Sequence, residues 1–244
     1  MALSLYALFA GASWHWWAVS LLVCFFVHQT LAWSVGLHRL WTHRAFETSR
    51  FWEYMIAGSV ISSLGPPAAL YAHTHLVHHE HADTERDSHL LAANGWRSIY
   101  RAYPLLVSKR VVHHFGRDRL HRNMRNYYWA YLTTWLATLG LALGWHGPAF
   151  VWALPVVVQS STRKFFLTYA IHKWGYRSFP TGDNSRNNWW AALFTGGEGW
   201  HNNHHHDPTR WSFQRRWWEL DLGALAVRCI RKRQPRPAVK TGSR

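Results

Sequence analysis

Long apolar runs alternate along this chain with short polar segments rich in histidine. Residues 14–37 form one such run and exceed the roughly 20 residues that carry a helix across a bilayer. Residues 2–11 are apolar but short, and predict an incomplete first span. Residues 127–145 and 148–171 predict two further spans, with Gly144-Trp145-His146-Gly147-Pro148 as a tight hairpin turn between them. The run 51–72 differs, because it carries Glu53, Ser59, Ser62, Ser63 and the helix-breaking Gly65-Pro66-Pro67. It predicts an interfacial or re-entrant segment that returns to its starting side. The pattern therefore predicts an all-α integral-membrane helical bundle of about three to four spanning helices, a single domain over 1–244 with a basic, flexible tail at 232–244.

The polar segments carry the chemistry. Of 19 histidines, nine fall into a pattern: His38 and His43 in H-R-L-W-T-H, His75, His78 and His79 in H-L-V-H-H, His201, His204 and His205 in H-N-N-H-H, and His172 alone. Neutral imidazole is the commonest protein metal ligand, and nine exceed the four to six that one ion takes. The spacing thus predicts a dinuclear, all-histidine centre. In H-x2-H-H, positions i and i+3 share a helix face and i+4 lies beside them. H-x4-H at a helix end brings its imidazoles to within about 140° of one another around the axis, and a frayed or wound last turn can aim both at one cluster. The pair of Glu-x-x-His motifs of carboxylate-bridged sites is missing, Glu198–His201 being the single one, and there is no H-E-x-x-H of zinc hydrolases. Imidazole alone suits iron, copper, zinc and nickel alike. Glu198 is a candidate acceptor from a ligand imidazole, and Trp200, Asn202 and Asn203 are candidates to pack or orient ligands.

Placing all nine on one membrane face requires that 51–72 not cross. Between His79 and His172 lie two predicted spans, which preserves the side. Arg97 to Arg125 and the tail from Arg228 to Arg244 are strongly basic, which places this histidine-rich cap in the cytoplasm. The net charge of +15 and the 18 tryptophans fit an anionic, amphipathic boundary, a bilayer, better than nucleic acid. Two distant cysteines, Cys24 and Cys229, argue against a disulfide or thiolate framework. The first residues lack the basic start of a signal peptide. Arg163 and Lys164 lie within the last predicted span, about 12–14 Å below His172, and either snorkel or face a polar cavity.

The motifs H-R-L-W-T-H-R-A-F, H-L-V-H-H-x-H-A-D-T and G-E-G-W-H-N-N-H-H-H-D-P, with Y-A-I-H-K-W-G-Y-R around His172, resemble the integral-membrane fatty acyl desaturases, especially the acyl-CoA Δ9 branch. The resemblance runs from about residue 14 to about 225. It implies two iron ions held by the nine histidines, molecular oxygen as oxidant, and electrons from a separate ferredoxin- or cytochrome b5-type donor. It also implies an acyl-CoA, acyl-carrier or acyl-lipid substrate, a cytoplasmic-membrane location, and no catalytic side chain beyond the metal centre. Thr168 stands where the family usually carries an asparagine holding a metal-bound water. No haem-binding H-P-G-G occurs, so a fused cytochrome is not expected. Arg39, Arg44, Arg163 and Lys164 are candidates to hold an anionic headgroup such as a CoA or phosphopantetheine phosphate. Two other functions share parts of the pattern: a membrane di-iron hydroxylase, and a histidine-rich metal transporter, which would need its ligands at bilayer depth.

Overall fold

The computed structural model describes residues 12–88 and 114–232. The short apolar stretch 2–11, most of the basic loop, His89, His113 and the tail beyond 232 lie outside them. The described residues are helical, with only isolated β-bridges, at Thr48–Arg231, Tyr176–Asn187 and Asn187–Trp200.

Helix α1, Trp14–Thr42, is the one described helix long and apolar enough to cross a membrane. It packs against α2 (Arg50–Ser62), α3 (Ala68–His81), α6 (Leu154–Thr168) and α9 (Leu222–Ile230). Val35, Leu37, Ile56, Val60 and Val227 are wholly buried between them. Gly36 is required at the α1–α2 crossing, since a Cβ there would collide with the Ile56 side chain. Ser49 caps α2 at the Trp52 N–H, and Leu64, with φ 52°, ends the turn after it ahead of Pro66 and Pro67. The run 51–72 is thus broken into two helices, and its two ends meet: the rings of His43 and His75 lie 5.0 Å apart. The segment returns to where it began.

Asp118 caps the short α4 (Arg119–Asn126), and α5 (Tyr128–Leu143) follows and stops at Gly144, whose φ is 60°. At 16 residues, α5 is about 24 Å long, short of a full hydrocarbon thickness of about 30 Å. A wide turn, Gly147–Ala153, leads into α6. Trp14, Leu22, Phe26, Trp129, Leu141 and Val157 of α1, α5 and α6 are exposed, as are Phe51 and Tyr54 of α2. Such an apolar outer surface is what a lipid-facing bundle presents and a water-facing one avoids. Two short helices, α7 (Trp189–Phe194) and α8 (His201–His206), complete the cap with α9.

Candidate metal centre

The H-x4-H box is solved by winding. Over Val23–Thr42 the helix is wound with i→i+5 bonds, as the His43 N–H to His38 carbonyl bond (3.1 Å) at its end shows, and the Thr42 hydroxyl also donates to the Leu37 carbonyl (2.7 Å). Residues five apart then become hydrogen-bonding neighbours, and the His38 and His43 rings sit 4.8 Å apart. On α3, regular helical spacing places His75, His78 and His79 on adjoining sides. The third box occupies α8, and His172 ends a tight turn, Ala170–His172, directly after α6.

Eight of the nine fall into two sets. The ligand atoms of His38, His43, His75, His79 and His204 lie within 4.8 Å of one another, and so do those of His78, His172 and His201. His205 joins the second set, its ring 4.2 Å from His201 and 5.1 Å from His78, with its Nε2 buried and without a hydrogen-bond partner. Its ring also lies 4.4 Å from His79, so the two sets adjoin. Within the sets, Nε2 atoms approach to 3.0 Å (His38–His204), 3.0 Å (His75–His79), 2.9 Å (His79–His204) and 3.1 Å (His172–His201). The right-angle edge of a site with metal–nitrogen bonds of about 2.1 Å is about 3.0 Å. The donor set therefore fits two metal ions with imidazole ligands.

Carboxylates hold the other ring nitrogens. His38 Nδ1 pairs with Glu198, His78 Nδ1 with Asp87 (2.9 Å), His172 Nδ1 with Asp83 (3.2 Å) and His205 Nδ1 with Asp183 (2.6 Å). A bond at Nδ1 fixes the tautomer and turns Nε2 inward. Burial, then the neighbouring imidazoles, push the protonation of His75, His79, His201 and His204 far down, and that of His43 down to about 2. Unprotonated rings are the form that binds metal. Burial alone would raise the Glu198 carboxyl, but His38, Arg39 and Ser34 outweigh it and hold it down to about 2.

The turn before α8 makes this geometry possible. Gly196 and Gly197 take φ values of 67° and 96°, a left-handed path that side chains resist, and a Cβ on Gly197 would strike Asp221 and Arg39. Glu198 is thereby delivered to Ser34 Oγ (2.5 Å) and Arg39 Nη1 (2.9 Å). Trp200 is buried and donates its indole N–H to the Leu220 carbonyl (2.9 Å), anchoring the start of α8.

The remaining predicted positions divide. Arg39 is a correction: it is 0% exposed, bonded to Glu198 and to Asp221 (3.0 Å) and stacked on Phe213, and so braces the site and offers nothing to a headgroup. Arg44, with φ 50°, is exposed beside His43. Asn202 accepts from the Ser178 and Phe179 N–H groups (2.7 and 2.9 Å) and so shapes the loop that carries Asp183. Arg163, Lys164 and Thr168 line a cavity of about 360 Å³ that reaches His75, Glu198 and His201. Of the histidines outside the pattern, His28 is buried against Ser62 Oγ (2.9 Å), and His206 is exposed and stacked on Phe179. Sequence reasoning missed Asp83, Asp87 and Asp183 as partners. Two of them follow the second box closely in a chain with only 12 acidic residues, which was the available signal.

The chain matches the fatty acid desaturase family over residues 7–236. It is 32% identical to an sn-1 stearoyl-lipid 9-desaturase of Anabaena variabilis, across 94% of this chain and 87% of that protein. It is 31% identical to Delta-9 acyl-lipid desaturase 2 of Arabidopsis thaliana (91% and 74% covered). It is 30% identical to an acyl-CoA C20 Delta5-desaturase of Anemone leveillei, with the same coverage of 91% and 74%. With the family's three boxes drawn together as described, this chain belongs to the fatty acid desaturase family.

Proposed function

We propose that the protein is an oxygen-dependent di-iron desaturase that introduces a cis double bond into a saturated acyl chain, drawing electrons from a separate donor protein. The observation that carries this reading is the convergence of nine imidazoles in two adjoining sets, four of them braced by carboxylates, in a member of this family. Each site residue has a role in it. His38, His43, His75, His79 and His204 hold one iron, and His78, His172, His201 and His205 hold the other. Glu198, Asp87, Asp83 and Asp183 keep the Nδ1 protons and so orient His38, His78, His172 and His205. Iron is favoured over zinc because removing hydrogen from an unactivated chain is redox chemistry, which zinc does not supply.

A C–H bond in mid-chain offers no handle for acid–base catalysis, so selectivity rests on position. The cavity between α1, α3 and α6 opens onto His75 and His201, and would present the chain there. The exposed apolar faces of α1, α5 and α6 support a bilayer setting for these helices, and the basic flanks, which are retained inside, support a cytoplasmic histidine cap. Expression in a desaturase-deficient host followed by gas chromatography of its acyl chains tests the reading. A new double bond is expected. A hydroxylated product would move the reading to a hydroxylase, and an unchanged profile with iron-loaded protein would overturn it.

A further inference from the structure

The two histidine sets resemble each other at their inner nitrogens and differ at their outer ones. In the set of His78, His172, His201 and His205, three of the four rings turn Nδ1 to a carboxylate: Asp87 at 2.9 Å, Asp83 at 3.2 Å and Asp183 at 2.6 Å. In the five-histidine set, among the described residues, only His38 meets one, Glu198. His204 Nδ1 is buried there with no hydrogen-bond partner. Glu198 is also shared, since Arg39 Nη1 (2.9 Å) and Ser34 Oγ (2.5 Å) bond it. A second cation stands behind His75. The Tyr71 ring stacks on His75 (5.6 Å, 7° between planes), and Trp33 lies edge-on to Tyr71 at 5.8 Å. The Arg163 guanidinium sits 4.0 Å over Trp33 and meets the Tyr71 hydroxyl. Its Nη1 is buried without a partner, and among the described residues no carboxylate pairs with it, so its charge is not cancelled at contact.

These differences act on the charge that each ion prefers. A carboxylate on the outer nitrogen makes an imidazole a stronger donor, which favours the ferric ion. A cation nearby disfavours the ferric ion, which carries one charge more than the ferrous. Three carboxylates around one set and two arginines beside the other pull the ions apart in the same sense.

We propose that the two irons differ in their hold on electrons: the five-histidine ion, beside Arg39 and Arg163, takes the first electron, and the ion among Asp83, Asp87 and Asp183 takes the second. Each step converts one Fe3+ to Fe2+ and oxidises a one-electron donor once, so two donor encounters fill the centre. This rests on the di-iron reading above and adds an order to it. A unit charge about 10 Å away in a buried site changes a one-electron equilibrium roughly tenfold, or about 59 mV.

The test poises iron-57-loaded protein in detergent at stepped potentials with soluble mediators and reads each sample by Mössbauer spectroscopy. In the wild type the two sites are expected to titrate separately, with one ferrous and one ferric ion per chain at intermediate potential. Arg163→Met should lower the upper step roughly tenfold, about 59 mV, and leave the lower one in place. Arg163→Lys keeps the charge and should stay close to wild type. Asp83→Asn and Asp183→Asn, at saturating iron, should raise the lower step by a similar amount and leave the upper one. A single shared potential in the wild type, or an unmoved upper step in Arg163→Met, would overturn the proposal. So would Arg163→Met moving the lower step, or the aspartate variants moving the upper one. If Arg163→Met loses its iron, the wild-type separation and Arg163→Gln decide instead. Irons at two potentials in a protein that forms no double bond defeat the desaturase reading alone. A desaturating protein whose irons share one potential defeats this one alone.

Discussion

Glu198 offers a sharp test of how the second layer of residues serves the centre. Its carboxylate is 3% exposed, receives His38 Nδ1, and is fixed by Ser34 Oγ at 2.5 Å and Arg39 Nη1 at 2.9 Å. Glu198→Gln keeps the volume but exchanges one accepting oxygen for a donating amide, so either His38 or Arg39 meets a donor instead of an acceptor. Outer partners of ligating histidines typically contribute 10- to 100-fold in metal affinity, or about 1.4–2.8 kcal/mol. Because Glu198 braces only His38, the loss should fall on one of the two ions, the one held by the five-histidine set. Chelator titration of purified protein, with iron counted at each step, should show one ion leaving 10- to 100-fold earlier in the variant and the other leaving as in wild type. Asp183→Asn, which disturbs His205, should reverse the pattern. Simultaneous loss of both ions in each variant, or unchanged retention in both, would refute the assignment of carboxylates to separate sets.

Three further outcomes follow from the same geometry. His78→Ala and His204→Ala should abolish activity and reduce iron content, whereas His206→Ala, at an exposed ring stacked on Phe179, should retain both; product analysis and iron quantitation check this. Arg39→Met leaves Glu198 and Asp221 as buried carboxylates without their cation and should cost about 3–5 kcal/mol of stability, visible as a large fall in melting temperature in detergent. In the metal-free protein, burial lowers the folded pKa of His75, His79, His201 and His204, so below about pH 6.5 the unfolded chain binds protons that the folded one refuses. Its stability should therefore be full at neutral pH and fall as pH drops from about 7 toward 5; a flat melting profile over that range would contradict the buried, neutral cluster.

The histidine spacing was legible because it is local: i, i+3 and i+4 on a helix share a neighbourhood whatever the rest of the fold does. The return of 51–72 was legible for a similar reason, since Gly65-Pro66-Pro67 interrupts any helix and the boxes on either side must share ions. What brings His38 and His43 together was only half legible. The five-residue interval allowed for a frayed or wound last turn, but nothing in the sequence said that the wide winding would extend over Val23–Thr42. Arg39 was misread because its partners, Glu198 and Asp221, stand 159 and 182 residues away. An arginine beside a box looks available until the fold supplies two carboxylates. Asp183 was hidden likewise, in a loop whose path is set by Asn202 and not by any local periodicity. The apolar runs indicated lipid-facing helices, but the 16-residue α5 shows why run length alone does not number the spans.

The central claim is that the nine imidazoles hold two iron ions. Metal analysis of the purified protein, paired with Mössbauer spectroscopy of iron-57-loaded samples, tests it most directly. Close to two irons per chain in nitrogen-rich sites are predicted, falling toward one or none in His204→Ala. A single iron per chain in fully loaded wild-type protein, or two zinc ions that iron does not displace, would contradict it.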